Sequence, residues 1–275
     1  MSSPEAPGRP GIEPRWTSAA KSGVGTSATS RSRVWFTLSH GIVNEVYYPR
    51  VDQANTRDLG LVVTAPDGFF SEEKRPAAHE VTLLGPGVPG YRLTNRCLRD
   101  RYRIAKTVVT DPERDVLLQQ IGFDPPPCAA ASFWVFAIMA PHLGNQGYGN
   151  NGWVGSYKGD RMLFAARGPL ALALACSVPF ADMSCGYVGV SDGWQDLAAH
   201  GRLIQSHQAA SDGNIGLTAS WPLRLLPTAA CSPSASGARG PKPLRTPVPR
   251  CWSRSTGSWP RMSRDGTGSS RVASR

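Results

Sequence analysis

A chain of 275 residues with 40% hydrophobic residues and eight tryptophans is long enough to form one large β domain around a real core. Its formal net charge of +10 suggests a nucleic-acid binder, but the charge is unevenly distributed. Ten of the 30 Lys and Arg residues, with a single Asp, lie between Arg224 and Arg275, which leaves residues 1–223 almost neutral. The composition therefore excludes a basic nucleic-acid-binding body, and any contact of the tail with DNA is expected to be weak and sequence-independent.

The cysteines and the apolar runs predict a chain without a metal, a cofactor or a membrane partner. The six cysteines form no C-x-x-C pair and no cluster with histidine, so we expect incidental thiols in a reducing compartment. The N-terminus lacks the apolar core of a signal peptide. The longest apolar runs, Ala131–Pro141 and Pro169–Ala181, are shorter than the roughly 20 residues that span a bilayer. These features predict a cytoplasmic protein.

Two strand-like runs open the folded part of the chain. β-Branched and aromatic residues dominate Val34–Ser39 and Ile42–Tyr48, and His40-Gly41 between them predicts a tight hairpin turn. The polar loop Arg50–Asp58 follows, and Leu59–Thr64 is predicted to be a third strand. A rigid hairpin that ends in a charged loop is a common way to present a working surface.

Turn signals recur every 8–12 residues through the rest of the body, and this spacing favours an all-β sandwich. Tyr91–Thr110 alternates over part of its length and is predicted to be a half-buried antiparallel strand. Gln195–Gln208 is the only plausible helix. Further strands are predicted at Val116–Phe123, Ser132–Ala140, Trp153–Tyr157, Met162–Ala166 and Leu170–Val178.

The composition changes near Ala219, and this change sets the predicted domain boundaries. Ser, Pro, Arg and Gly dominate beyond it and periodicity is lost, so residues 219–275 are predicted to be a disordered basic tail. Residues 16–218 are predicted to form the β-sandwich domain, and the Pro- and Gly-rich residues 1–15 an extended arm. A reading frame lost near residue 219 explains the tail, and a natural disordered tail is the alternative.

Two glycine-containing patterns imitate catalytic motifs. Gly147–Gly152 matches the G-x-G-x-x-G dinucleotide fingerprint, but a strand rather than a helix is predicted after it. Gly189–Gly193 matches the G-x-S-x-G of a nucleophile elbow, with Asp196 and His200 close behind, but the body has no α/β pattern to hold distant partners. We therefore expect a glycine-rich sandwich loop at the first pattern and no serine hydrolase at the second.

The carboxylates also fail to predict the acid and base of a glycosidase. An inverting glycosidase needs two carboxyl groups roughly 6.5–9.5 Å apart. Glu72 and Glu73 are neighbours in a strand-like run, so they are expected on opposite faces. Asp52 and Asp58 share a loop with two arginines, and ion pairing keeps a carboxylate ionised and unsuited to act as a general acid. The sequence therefore predicts no catalytic residue.

Several stretches together resemble one enzyme family. They are Gly11–Trp16, Val34–Val63, APHLGNQGYGN at Ala140–Asn150, GYVGVSDGWQDL at Gly186–Leu197 and DGNIGLT at Asp212–Thr218. Over residues 4–218 the chain resembles the N-terminal β-domain of bacterial glucoamylases and glucodextranases, glycoside hydrolase family 15. The resemblance implies a large antiparallel super-β-sandwich of the galactose-mutarotase-like type, which we expect to be incomplete here.

The resemblance also implies which domain of the parent enzyme is catalytic. The paired catalytic glutamates of the family lie in a following α/α barrel that releases glucose, with inversion, from the non-reducing ends of α-glucans. We expect this chain to lack that barrel. The resemblance therefore implies a non-catalytic domain whose partner is the barrel or an α-glucan, with a free carbohydrate-binding module as the alternative.

Seven side chains are candidates for contact with sugar hydroxyls or with the barrel. Trp153, beside the Gly/Asn loop, is suited to stacking on a pyranose ring. The other six cluster at the end of the opening hairpin: Tyr47, Tyr48, Arg50, Asp52, Arg57 and Asp58. Loop ion pairs and buried aromatic residues explain the same side chains without a ligand, so both interpretations stay open.

Overall fold

The computed structural model describes residues 2–126, 133–221 and 250–255. Within these ranges, 18 strands form two sheets, and one α-helix, α1 (Gly193–His200), lies against the smaller sheet. In chain order the strands are β1 (Ser2–Glu5), β2 (Gly23–Thr26), β3 (Trp35–Ser39), β4 (Ile42–Tyr47), β5 (Thr56–Thr64), β6 (Phe70–Glu72), β7 (Ala77–Leu83), β8 (Tyr91–Cys97), β9 (Arg103–Thr110), β10 (Val116–Asp124), β11 (Trp134–Pro141), β12 (Asn150–Tyr157), β13 (Asp160–Arg167), β14 (Leu170–Cys176), β15 (Met183–Tyr187), β16 (Ser206–Gly213), β17 (Ile215–Trp221) and β18 (Arg250–Ser255).

The two sheets are large and almost wholly antiparallel. The ten-stranded sheet has the order β1-β16-β12-β13-β14-β18-β10-β9-β8-β7. The eight-stranded sheet has the order β15-β17-β11-β5-β4-β3-β2, and β6 pairs with the last residues of β5, beyond the point where β4 pairs with it. Among these pairs, only β1 and β16 run parallel. The architecture confirms the predicted all-β sandwich.

The core lies between the sheets, and the period-two alternation of each strand decides which side chains enter it. Along β5, Leu59, Leu61 and Val63 belong to the core, and all three are at least 95% buried. Asp58 and Gly60 alternate with them and lie on the outer face. One strand therefore supplies both core packing and an exposed surface.

The hairpin between β3 and β4 forms where the sequence predicts it. Ser39 pairs with Ile42, and the two turn residues His40 and Gly41 have φ of 50° and 70°. Two consecutive left-handed residues make the type I′ turn whose twist matches that of paired strands. The predicted turn is confirmed.

A bulge interrupts the same hairpin and changes the outer face. Phe36 pairs with Val46 and Leu38 with Val43, so Thr37 alone opposes two residues of β4. Those two residues are Asn44 and Glu45, and both bind groups on the outer face. The bulge therefore places two polar side chains side by side at the edge of the outer surface.

Two predicted elements differ from the structure. Tyr91–Thr110 is a hairpin of β8 and β9 rather than one strand, because Asp100 takes a left-handed φ of 50° in the turn. The helix predicted at Gln195–Gln208 is confirmed only in its first part. It ends at Gly201, a left-handed C-cap with φ of 70°, and the chain then continues as β16.

The predicted arm and tail are partly integrated into the sandwich. The arm runs along β16, since β1 pairs with it and Ala6 N–H donates to Ala209 C=O at 2.8 Å. At the other end, β17 continues to Trp221, whose 3% exposure anchors it in the core. Strand β18 pairs with β14 and β10. The rest of the predicted tail lies outside the described residues.

Cys97, Cys176 and Cys185 are free cysteines, whereas Cys128 and Cys231 fall outside the described ranges. In the described part of the chain, no helix has the length and apolar character needed to cross a membrane.

Candidate functional site

The outer face of the eight-stranded sheet carries a cleft of about 320 Å³, here called the outer cleft. A Cβ added at Gly60 would lie 3.2 Å from Ile42 Cγ2, so the absence of a side chain there keeps the cleft open. Three neighbouring strands form the apolar floor of the cleft. The floor consists of small or aliphatic residues: Gly60, Val62, Ile138, Ala140 and Gly216.

Three other parts of the chain form the walls of the outer cleft. The arm contributes Ile12, whose N–H donates to Val188 C=O at 3.0 Å. The segment after β6 contributes Lys74 and Arg75, and helix α1 contributes Trp194. These positions are far apart in sequence, and only the sandwich topology brings them together.

Asp192 fixes the start of helix α1 at the edge of the cleft. As the N-cap, its carboxylate accepts a hydrogen bond from Gln195 N–H at 3.2 Å, and it also accepts one from Gly189 N–H at 2.5 Å. Burial raises the pKa of the Asp192 carboxyl, while these backbone donors act in the opposite direction. Its acceptor capacity is therefore used to hold the wall in place.

Asp58, another residue that lines the outer cleft, is the centre of a polar network. Its side chain is 8% exposed, and Lys74 Nζ lies 2.7 Å from Oδ2. The Thr17 hydroxyl donates to Oδ2 at 3.0 Å, and Asn44 Nδ2 donates to Oδ1 at 3.1 Å. Arg57 Nε lies 3.2 Å from the same carboxylate. Two cations and two further donors therefore converge on this one carboxylate.

The network continues along the bulged hairpin. Lys21 Nζ lies 2.5 Å from Glu45 Oε2 and also donates to Asn44 Oδ1. The Thr37 hydroxyl donates to Glu45. Because Asn44 also binds Asp58, these side chains form one continuous polar band from the bulge to the cleft.

Glu72 and Trp194 join the strand side of the cleft to the helix side. The Trp194 Nε1–H donates to Glu72 Oε1 at 2.8 Å, and Arg75 Nε lies 3.6 Å from Glu72 Oε2. The Trp194 ring also packs edge-to-face on Phe70, with centroids 5.6 Å apart. The indole is therefore held in one orientation at the cleft wall.

Two buried polar groups lining the cleft have no hydrogen-bond partner among the described residues. One is Arg57 Nε, whose N–H makes no hydrogen bond although Asp58 is close. The other is the hydroxyl of Thr218, a residue that is 1% exposed. Buried polar groups are normally satisfied, so this pair requires an explanation.

Comparison with known proteins decides the family. Residues 6–231 match the family model described as glucodextranase, domain N. This chain belongs to the glucodextranase N-domain family. The match runs past Thr218, so family-like sequence extends beyond the predicted end of the sandwich domain.

Two relatives of this glucodextranase N-domain are informative. A glucoamylase from Clostridium sp. (strain G0005) is 34% identical over 206 residues, which are 75% of this chain and 29% of the relative. The crystal structure of a bacterial glucoamylase complexed with acarbose superposes with a TM-score of 0.82 at 29% identity, covering 94% of this chain and 35% of that one. The chain therefore spans about a third of the length of each relative.

The structure separates the candidates predicted from the N-domain sequence into two groups. Arg57 and Asp58 lie together in the outer cleft. Arg50 and Asp52 do not line it. They form an exposed pair of their own, in which Arg50 Nε and Nη2 donate to the Asp52 carboxylate at 2.9 and 2.7 Å. The Arg50 guanidinium lowers the pKa of the Asp52 carboxyl.

The structure places the three aromatic candidates away from the outer cleft. Tyr48 is 4% exposed and belongs to the core, where Arg33 Nη2 donates to its hydroxyl at 2.6 Å, so its ring cannot meet a surface ligand. Tyr47 is half-buried beside Glu45 at the bulge. Trp153 lies in β12 of the other sheet, and the Phe164 ring stacks on it at 5.5 Å. Neither Tyr47 nor Trp153 lines the outer cleft.

The two glycine-containing patterns that imitate catalytic motifs, Gly147–Gly152 and Gly189–Gly193, have structural roles in this N-domain. The pattern Gly147–Gly152 leads directly into β12, as predicted. The Ser191 hydroxyl donates to Pro7 C=O at 2.6 Å and ties down the arm, while His200 Nδ1 lies 2.9 Å from Asp196 Oδ1. Helix α1 follows Ser191, but these bonds do not assemble a catalytic triad.

Sequence reasoning missed the residues that complete the cleft: Glu72, Lys74, Arg75, Asp192 and Trp194. Glu72 and Glu73 do face opposite ways, but the outward position of Glu72 in a cleft was not foreseen. One available signal was the S-D-G-W-Q run, since Asp192 followed three residues later by Gln195 marks a helix start. No group of three or more His, Cys, Asp or Glu in the described ranges is placed to hold a metal ion.

Proposed function

We propose that this chain is the non-catalytic N-terminal β-domain of a glucoamylase-type glycoside hydrolase. The parent enzyme would release glucose, with inversion, from the non-reducing ends of α-glucans through a catalytic α/α barrel. The family match over residues 6–231 carries this proposal, since it aligns the body of the chain with a domain and not with a whole enzyme.

The chemistry of the outer cleft supports a non-catalytic role. Asp58 has two cationic neighbours, Glu72 accepts from Trp194 and lies near Arg75, and Asp192 caps a helix. A general acid must instead hold a proton that it can give up, in an environment that raises its pKa without fixing it to donors. These carboxylates act as structural acceptors and as a preformed polar surface.

The barrel is the partner that we propose for the rim of the same face. Ile12 and Val190 are 53% and 50% exposed, and the Ile12 side chain lies over Gly189, the residue that precedes Val190. Adjacent exposed aliphatic residues beside a polar cleft are typical of a surface that another domain covers.

Two measurements test the proposal. The purified chain should release no glucose from maltooligosaccharides or dextran, and it should co-elute in gel filtration with the catalytic part of the Clostridium glucoamylase. Ile12→Asp or Val190→Asp should weaken co-elution. The control is Leu83→Asp, since Leu83 is 59% exposed on β7 of the other sheet. Glucose release abolished by a substitution in this chain, or co-elution unaffected by either rim variant, would contradict the proposal.

A further inference from the structure

We propose that the outer cleft is itself a sugar-binding subsite, which takes a neutral hexose unit of an α-glucan. The choice of an α-glucan rests on the proposed function, whereas the choice of a neutral polyhydroxyl ligand rests on the cleft alone. Its volume of about 320 Å³ lies at the lower end of small-ligand sites, roughly 300–1,000 Å³.

The charge of the cleft selects a neutral ligand. Its lining contains three cationic side chains and three carboxylates, namely Arg57, Lys74, Arg75, Asp58, Glu72 and Asp192. Most of these charges are already paired within the cleft, so neither an anion nor a cation gains an uncompensated partner there. Paired ions still present fixed donors and acceptors to hydroxyl groups.

The unsatisfied groups show where a ligand would add hydrogen bonds. Arg57 Nε–H is buried and makes no hydrogen bond, although Asp58 Oδ2 lies 3.2 Å away, and the Thr218 hydroxyl can both donate and accept. Thr218 is 1% exposed and lies beneath the start of helix α1. A sugar hydroxyl both donates and accepts, so one ligand class can satisfy both groups, which an apolar ligand cannot.

The apolar floor of the cleft is suited to contact the less polar face of a sugar ring, whereas the polar groups bind its hydroxyls. The floor of Val62, Ile138 and Ala140 offers C–H groups to the less polar face of a hexose. Trp194 stands at the wall with its indole fixed by Glu72, so its ring is pre-organised for contact. An apolar floor with a few convergent polar groups is the usual pattern of a small-molecule site.

Calorimetric titration of the full chain with maltotriose and maltoheptaose tests the inference. Binding should be measurable, and cellotriose should bind more weakly. Thr218→Val and Trp194→Phe should each weaken binding, and Arg57→Met should weaken it about tenfold, the loss expected for a hydrogen bond to a charged group. Trp153→Phe, on the ten-stranded sheet, is the matched aromatic control and should leave binding unchanged.

Thr218→Val separates binding from folding. Because the hydroxyl has no partner in the described residues, its removal should leave the melting temperature unchanged or raised while it weakens sugar binding. A structural role alone would lower stability and would not act on affinity.

Several results would overturn the inference. They are no heat with any glucan, equal binding of cellotriose, or binding lost in Trp153→Phe and kept in the cleft variants. Co-elution with the catalytic part that depends on Arg57 and Trp194 without any sugar binding would also overturn it, since the cleft would then receive protein side chains. Each of these leaves the proposed function standing, whereas a failure of co-elution with sugar binding intact would count against that function alone.

Discussion

Lys106 Nζ lies 2.5 Å from Glu73 Oε2, and the two side chains are 1% and 0% exposed. The pair crosses from β9 of one sheet to the segment after β6 at the other sheet. Glu73 also accepts from Leu61 N–H at 3.0 Å and from Asn95 Nδ2 at 2.5 Å. A charge pair with all these bonds therefore links the two layers inside the core.

Removing one partner of the Lys106–Glu73 pair should lower the stability of the fold. Lys106→Met leaves a buried carboxylate without its cation, which we expect to lower the free energy of unfolding by about 3–5 kcal/mol. The double variant Glu73→Gln/Lys106→Met removes both charges and keeps one oxygen as an acceptor for either Leu61 N–H or Asn95 Nδ2, so it should recover part of that loss. Urea unfolding measures both, and a loss below about 1 kcal/mol in Lys106→Met would disprove the assigned role.

The turn glycines provide a second prediction, with a matched pair. Gly41 and Gly68 have φ of 70° and 79°, but a Cβ at Gly41 would collide with the Asn95 and His79 side chains, whereas nothing lies near one at Gly68. Gly68→Ala should cost about 1–2 kcal/mol, the ordinary penalty of a left-handed residue. Gly41→Ala should cost clearly more. Equal losses in thermal unfolding would show that the collision is relieved at no cost.

His142 gives a pH-dependent prediction. Burial, reinforced by nearby Arg57, lowers the pKa of His142 to about 4 from an ordinary 6.5. As the pH falls from 6.5 towards 4, the unfolded chain takes up a proton that the folded chain refuses, so the free energy of unfolding falls by up to about 1.4 kcal/mol per pH unit. Above pH 6.5 the effect vanishes, because the imidazole is neutral in both states.

His142→Phe should remove this part of the pH dependence and preserve the edge-to-face packing on Trp16, whose ring centroid lies 4.8 Å away. His200→Gln, at an exposed position on α1, should leave the slope in place. Urea midpoints between pH 7 and pH 4 decide the matter. Identical slopes in the His142→Phe and unmodified chains would refute the assignment.

The two aspartates predicted together should behave differently. Asp58→Asn removes a buried charge from two cations and several donors, which should cost about 2–3 kcal/mol. Asp52→Asn loosens only an exposed pair with Arg50 and should leave the unfolding midpoint unchanged. Comparable losses in the two variants would mean that exposure is a poor guide to the energetics of this loop.

What could be read from the sequence depended on the range of the interactions involved. The β3–β4 hairpin was predictable because alternation and two turn residues are local signals. The helix was predicted too close to the C-terminus because the left-handed C-cap at Gly201 was overlooked. Glycine after the last residue of a helix is nevertheless a local signal. The turn between β8 and β9 has no glycine or proline at its centre, and Asp100 adopts the left-handed conformation instead.

The candidate site was less accessible to sequence reasoning. Arg57 and Asp58 were found because they belong to the charged loop predicted at Arg50–Asp58. Trp194 reaches the same cleft only through the pairing of β17 with β11 and of β11 with β5. No local pattern predicts such a pairing, because register between distant strands is set by the whole sandwich.

The pairing of β1 with β16 has a consequence for how the chain is made. Ser2 aligns with Ser206, so the partner of the segment that begins the sandwich is synthesised about 200 residues later. At 5–20 residues per second, Ser2–Glu5 must wait on the order of 10–40 s on the ribosome before their strand exists. During that interval the arm is exposed to proteases and chaperones. Its docking on β16 therefore cannot precede the synthesis of that strand, late in the production of the chain.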